Sequence, residues 1–83
     1  MDMFYTETLD TSSGFCVGDY GRIPVGKFIL RSEPCEKITC NHGSRQGEGC
    51  GKVMVSKGSG CKLIKKEGNY PNCCPDVKCE TNI

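Results

Sequence analysis

The amino-acid sequence predicts a small, disulfide-rich, all-β domain. Eight of its 83 residues are cysteine, an even number at a density typical of chains held together by disulfides. Eleven glycines and four prolines interrupt the chain, and no apolar pattern with a 3.6-residue period is sustained between them, so helices are not expected. Short apolar runs bounded by turn residues are typical of strands.

The cysteines divide the chain into three predicted parts. Residues 1–15 contain no cysteine and form an N-terminal extension, residues 16–79 form one domain that holds all eight cysteines, and residues 80–83 form a tail. A chain of this length supports one domain and buries only a modest apolar core. Disulfides therefore have to supply much of its stability.

Two strands are predicted in the first half of the cysteine-rich domain. They cover Val25–Arg31 and Glu36–Asn41, and Asn41-His42-Gly43 is predicted to form the turn that follows.

A hairpin is predicted in the second half, from Lys52–Lys57 to Cys61–Lys66, because Gly58-Ser59-Gly60 between them is a turn sequence. Strand alternation then separates a core face from a solvated face. The core face holds Val53, Val55, Cys61 and Leu63, and the solvated face holds Lys52, Met54, Lys62, Ile64 and Lys66.

The cysteine spacing favours disulfides over a metal site. Structural zinc sites prefer paired CxxC or HxxxH ligands, whereas this chain has spacings such as Cys35–x4–Cys40, adjacent Cys73 and Cys74, and a single histidine. An oxidising compartment, and hence secretion, is expected. Residues 1–9 have neither the basic nor the apolar region of a signal peptide, so we interpret the sequence as a mature form.

Five short motifs together resemble the single-domain von Willebrand factor type C family. They are CVGDYG at 16–21, PCEKITC at 34–40, GCG at 49–51, Cys61, and YPNCCPDVKC at 70–79. The last of these is the most specific. The full type C module has ten cysteines and this chain has eight, which is the usual number in the single-domain group of secreted arthropod proteins.

The resemblance implies a disulfide pattern that the sequence alone leaves open among 105 pairings. The implied bridges are Cys16–Cys40, Cys35–Cys73, Cys50–Cys74 and Cys61–Cys79. A direct bond between the adjacent Cys73 and Cys74 is independently disfavoured, because adjacent residues do not readily reach disulfide geometry. The implied fold is a small sheet in the first half followed by an irregular, disulfide-held second half.

Residue inventory and charge argue against an enzyme and against nucleic-acid binding. The single His42 falls in a predicted turn, every cysteine is expected in a disulfide, and the glycine clusters lack phosphate-binding spacing, so no catalytic residue, metal ligand or cofactor site is predicted. The net charge is +1, without a dense basic stretch. No apolar run is long enough to span a membrane.

The N-terminal extension is the first candidate for a partner-binding site. Phe4, Tyr5 and Leu9 are apolar residues without a nearby covalent tether, and aromatic anchors often carry interface energy. The extension could order against a partner by adding a strand to an exposed edge. It could equally pack on its own domain or form a disordered tail.

Two further surfaces have functional interpretations beside simpler ones. Arg31 could enter the specificity pocket of a trypsin-like protease as part of an inhibitor loop, or it could end an ordinary strand. The lysines on the solvated face of the predicted hairpin could bind heparin-like polyanions, or simply keep that hairpin soluble.

A secreted, monomeric binding protein without enzymatic activity is therefore expected. Among proteins with this cysteine layout, one tick salivary group inhibits vertebrate complement at its fifth component, and the resemblance makes this the most specific expected function. The alternatives are an endogenous arthropod humoral factor, a venom peptide, or a serine protease inhibitor.

Overall fold

The structure, a computed structural model, describes residues 3–80 and is all-β over that range. Its eight strands are β1 (Met3–Thr8), β2 (Phe15–Gly18), β3 (Gly21–Pro24), β4 (Phe28–Ser32), β5 (Cys35–Asn41), β6 (Ser44–Gly49), β7 (Cys61–Ile64) and β8 (Asp76–Cys79). They form a four-stranded antiparallel sheet in the order β1-β6-β5-β4 and two ribbons, β2-β3 and β7-β8. The small, disulfide-rich, all-β fold is confirmed. No helix in the described part of the chain is long and apolar enough to cross a membrane.

The core lies between the four-stranded sheet and the β2-β3 ribbon. Cys16 and Ile23 from the ribbon and Ile38 and Cys40 from β5 are almost fully buried. They form one cluster, against which Leu9, Tyr20 and Ile29 pack. Because successive strand residues point to opposite faces, burial of Ile38 and Cys40 fixes which face of the sheet is internal. We call this the inner face and the opposite one the outer face.

The N-terminal extension contributes a strand to the main sheet. All six residues of β1 pair with β6, from Met3 opposite Gly49 to Thr8 opposite Ser44. Beyond the strand, the Leu9 N–H donates to the Gly43 carbonyl at 3.1 Å, and the Gly43 N–H donates to Thr11 Oγ1 at 2.8 Å. Thr11 is buried. The main sheet therefore includes residues of the N-terminal extension as well as residues of the cysteine-rich domain that begins at Cys16.

The prediction of a strand from Val25 was wrong at its start, because a tight turn and a bulge occupy the first three residues. The Lys27 N–H donates to the Pro24 carbonyl, and Gly26 at the third position of this turn has φ +89°. Gly26 donates to the Cys40 carbonyl, and Cys40 in turn donates to Lys27, so two residues oppose one. Regular pairing begins at Phe28.

The predicted hairpin between Lys52–Lys57 and Cys61–Lys66 was also wrong. Residues 51–56 form no strand, and β7 pairs with β8 instead, with Cys61 opposite Cys79. A disulfide joins those two residues, so a distant segment takes the position expected for the adjacent one. The face assignment fails only at Leu63, expected in the core but 44% exposed, and at Ile64, expected in solvent but half-buried. Val53 and Val55 are half-buried and Lys52 and Met54 are exposed, as alternation predicts.

Four disulfides organise the molecule into two connected halves. They join Cys16 to Cys40, Cys35 to Cys73, Cys50 to Cys74 and Cys61 to Cys79, the same pairs that the resemblance implies. The first lies within the sheet half and the last within the β7-β8 ribbon, while the other two connect the halves. The radius of gyration is 16.5 Å, with extents of 60 × 20 × 17 Å. A compact chain of this length would have about 12 Å, so the molecule is elongated.

Candidate partner-binding surface

The outer face of the four-stranded sheet carries exposed apolar side chains at both edges. Phe4 on β1 is 59% exposed, and Phe28 and Leu30 on β4 are 54% and 42% exposed. Phe4, Glu48, Lys37 and Leu30 lie in one cross-strand row. Neighbouring strands are about 4.8 Å apart, so Phe4 and Leu30, at the two ends of this row, are separated by three spacings, or about 14 Å. The apolar edges therefore flank a polar centre.

The β4 end of this face forms the larger apolar patch. Phe28 and Leu30 project from the same side of β4, and the Lys37 ammonium lies 4.4 Å from the centre of the Phe28 ring. Such a cation over an aromatic face is attracted by the ring quadrupole. We call Phe28, Leu30 and Lys37 the β4 patch.

Tyr70 anchors the C-terminal half to the same sheet. Its N–H donates to the Arg31 carbonyl at 2.9 Å, and its hydroxyl donates to Glu48 Oε2 at 2.7 Å. Arg31 is on β4 and Glu48 on β6, so the Tyr70 ring crosses the sheet, and it is only 7% exposed. Together with the Cys35–Cys73 bridge, this contact fixes where the second half meets the sheet.

Tyr5, predicted to bind a partner beside Phe4, points to the opposite face. Its ring lies over Gly47, where an added Cβ would collide with it, and its hydroxyl donates to Glu36 Oε1 at 2.9 Å. Burial raises the pKa of Tyr5, and the hydrogen bond to the Glu36 carboxylate raises it further. Tyr5 is 38% exposed but already has a partner within the sheet.

Leu9 and Arg31 are likewise placed in internal contacts. Leu9 is half-buried and packs against the core cluster. Arg31 lies within β4, and its guanidinium forms ion pairs with Glu36 at 3.3 Å and Asp19 at 3.8 Å. Its side chain is 19% exposed. A reactive loop must present an accessible side chain, whereas the Arg31 side chain is held in ion pairs on a strand of the sheet.

The structure thus separates the four predicted binding residues. Phe4 alone among them is freely exposed on the outer face, while Tyr5, Leu9 and Arg31 contact the protein itself. Phe28 and Leu30 were missed, although the sequence contained their signal. In a strand whose Ile29 faces the core, alternation places both neighbours outside.

The lysines predicted to share the solvated face of one hairpin lie on several segments of the chain. Lys62 lies directly opposite Lys78 in the β7-β8 ribbon, Lys66 forms an ion pair with Asp76 at 3.5 Å, and Lys52 lies in the irregular segment before them. They therefore do not share one face of a hairpin, contrary to the prediction from sequence.

The described residues contain no free cysteine that could act as a nucleophile or as a metal ligand. All eight cysteines are in disulfides, and His42 is exposed in the turn between β5 and β6. The sulfur atoms of Cys35, Cys50 and Cys74 lie within 4.8 Å of one another, but each is bonded to another sulfur. Without thiolates this cluster offers a metal no strong ligand.

Comparison with known proteins identifies relatives named as toxins and as a complement inhibitor. Toxin-like protein 14 of Urodacus yaschenkoi is 36% identical over 80 residues, covering 90% of this chain and 74% of the relative. Complement inhibitor CirpT2 of Dermacentor andersoni is 31% identical over 81 residues, covering 94% and 73%. U-scoloptoxin(16)-Sm2a of Scolopendra morsitans is 35% identical over 75 residues, covering 83% and 66%.

A family model matches the segment that contains all eight cysteines. The model for single domain von Willebrand factor type C matches residues 16–79, the segment from the first to the last cysteine. Seventy-seven per cent of the chain lies within that match, since 64 of 83 residues are covered. The chain belongs to the single domain von Willebrand factor type C family.

Proposed function

We propose that this protein is a secreted, non-enzymatic inhibitor that binds the fifth component of vertebrate complement and prevents its activation by occupying its surface. The observation that carries the proposal is the β4 patch, an exposed aromatic and aliphatic pair on a disulfide-braced sheet. The similarity to a tick protein named as a complement inhibitor supplies the class of target.

The β4 patch has the chemistry of an interface centre. Phe28 and Leu30 provide apolar surface, and Lys37 adds a positive charge whose ammonium group lies over the face of the Phe28 ring. Aromatic residues that become fully buried carry much of the binding energy at protein interfaces. A rigid sheet presents them with little loss of conformational entropy, which favours tight binding.

A serum experiment tests the proposed target. The oxidised protein is immobilised, exposed to vertebrate serum, and the captured proteins are identified by mass spectrometry, while lysis of sensitised red cells reports complement activity. We expect capture of the fifth component and loss of lysis. Serum that passes without specific capture and keeps its lytic activity would overturn the complement assignment.

A matched set of variants tests the β4 patch. Phe28→Ala combined with Leu30→Ala should weaken binding by about thirtyfold or more, the equivalent of about 2 kcal/mol. Val17→Ala is the control, because Val17 is similarly exposed, at 59%, but lies on the β2-β3 ribbon. Unchanged affinity in the double variant would exclude this patch. Phe4→Ala is measured separately because Phe4 lies at the other edge of the sheet.

A venom or humoral role is the second candidate, and the relatives named as toxins favour it. The same patch would then bind an arthropod receptor or a venom target. Capture of a receptor ectodomain in place of a serum protein, with the same loss in the Phe28/Leu30 variant, would support it.

A further inference from the structure

The β1 edge of the four-stranded sheet is open. All six of its residues are exposed, and within residues 3–80 no strand pairs with β1 on the side away from β6. At the other edge, the C-terminal segment contacts β4 where Tyr70 donates to the Arg31 carbonyl. Among the described residues the two edges therefore differ, because β1 has no strand beside its outer edge.

The hydrogen bond from the Leu9 N–H to the Gly43 carbonyl shows which β1 groups face outward. The Leu9 N–H therefore points toward β6, and the direction of the backbone groups alternates from residue to residue along an antiparallel strand. In the register of β1 and β6, Met3, Tyr5 and Glu7 consequently direct their backbone groups toward β6. The N–H and C=O groups of the alternate residues, Phe4, Thr6 and Thr8, point away from the sheet.

Three of the features that protect natural sheet edges are missing from β1. Natural edges carry lysine, proline or a bulge that discourages pairing with another chain. β1 has the sequence MFYTET and continuous pairing with β6. Its one charge, Glu7, is already bound by Arg45 at 2.7 Å. An exposed edge of this kind is a template for a further strand.

We propose that β1 pairs antiparallel with β1 of a second copy of this chain, which joins two four-stranded sheets into one of eight strands. With the two-fold axis at Thr6, the outward groups of Thr6 meet their own counterparts, and those of Phe4 meet those of Thr8. Every outward backbone group of both edges is then paired.

The side chains are compatible with this register. Thr6 lies opposite Thr6, a favourable cross-strand pair, and Glu7 lies opposite Tyr5, so no like charges are directly opposed. The outer faces of the two copies become continuous, with both β4 patches left exposed. Sequence analysis predicted a monomer, whereas the open edge points to a dimer whose formation does not depend on the target of the β4 patch.

Sedimentation velocity over a concentration series tests the proposal. The wild-type protein should sediment as a monomer at low concentration and as a dimer at high concentration. Thr6→Pro removes an outward N–H and leaves the bonds to β6 intact, since proline is tolerated on an edge strand where its missing donor faces solvent. We expect at least tenfold weaker self-association, whereas Thr6→Ser should dimerise like the wild type.

Folding controls keep this test decisive. Thr8→Pro removes a second outward N–H and should weaken the dimer in the same way, and hydrogen exchange in β5 and β6 verifies that each variant is folded. A wild-type protein that stays monomeric up to millimolar concentration would overturn the proposal, as would folded Thr6→Pro and Thr8→Pro variants that dimerise normally. A monomer whose Thr6→Pro variant loses a serum partner would instead assign the edge to that partner.

Discussion

At the scale of single residues, the Glu36 carboxylate connects the inner face across all four strands. It accepts hydrogen bonds from the Tyr5 hydroxyl at 2.9 Å and from Arg31 Nη1 at 3.3 Å. Tyr5 reaches it by crossing β6 over Gly47, which has no side chain to obstruct the ring. This network, rather than an external partner, accounts for two of the residues that sequence reasoning assigned to binding.

Tyr5→Phe tests this contact through pH. At neutral pH the variant should lose about 1 kcal/mol of stability, the usual value of a side-chain hydrogen bond. The pKa of Tyr5 is raised in the folded protein by burial and by Glu36. Its stabilisation is therefore complete below the unfolded pKa of about 10 and is lost as pH rises through the folded value.

Urea unfolding of the oxidised protein between pH 7 and pH 11 measures the effect. The free-energy difference between wild type and Tyr5→Phe should be constant up to about pH 9 and then decrease. Absorbance at 295 nm should show one fewer ionising tyrosine in the variant, and that tyrosine should titrate late. A difference that is already absent at pH 7 would show that the hydroxyl contributes nothing to stability.

At the scale of elements, the sequence predicted what is local and missed what is long-range. β5 and the turn at Asn41-His42-Gly43 follow from alternation and turn chemistry within a few residues, and both are confirmed. The pairing of β7 with β8 joins segments separated by the whole Lys65–Pro75 stretch, and alternation carries no information about which distant strand is the partner.

The candidate binding surface was also predictable only where its position depends on local sequence. The outward positions of Phe28 and Leu30 follow from the strand pattern once the strand is assigned. By contrast, the inward rotation of Tyr5 depends on its pairing with Gly47 across β6. That pairing requires knowing that the N-terminal segment joins the sheet, which no local signal in residues 1–15 indicates.

The start of β4 depends on Gly26, and Gly26→Ala tests that dependence. At φ +89° the glycine permits the turn and bulge that precede the strand, and an added Cβ would meet no atom within 4 Å. The cost should therefore come from the backbone conformation alone, about 1–2 kcal/mol. Urea unfolding measures it.

Gly49→Ala is the matched control for that experiment. Gly49 lies in β6 without a positive φ, and an added Cβ would make only an ordinary contact with the Cys35 carbonyl at 3.8 Å. The substitution should be neutral or slightly stabilising, because glycine is unfavourable within strands. Equal losses in both variants would mean that the Gly26 turn has no special role.

At the scale of the whole molecule, disulfides take the place that a larger core has in bigger domains. The buried cluster consists of two isoleucines and one disulfide, all in the sheet half. The second half is joined to it through Cys35–Cys73, Cys50–Cys74 and the buried Tyr70. Each half therefore has its own source of stability, and the two need not unfold together.

Removal of the Cys61–Cys79 bridge tests this independence. A two-stranded ribbon is at best marginally stable in water. Leu63 and Val77 lie opposite each other in this ribbon and are 44% and 47% exposed, so their packing adds little to its stability. The bridge closes a loop with a sequence separation of 18, and the chain-entropy model gives it about 3 kcal/mol. Without it the ribbon should open while the four-stranded sheet stays folded.

Hydrogen exchange followed by mass spectrometry resolves the two halves in Cys61→Ala/Cys79→Ala. The amides of β7 and β8 should lose protection, while those of β5 and β6 should exchange as slowly as in the wild type. Cys16→Ala/Cys40→Ala is the contrasting variant, because that bridge is fully buried in the core and its loss should remove protection throughout the sheet. If the first variant also lost protection in β5 and β6, the two halves would form one cooperative unit, and a partner bound to the sheet would stabilise the ribbon as well.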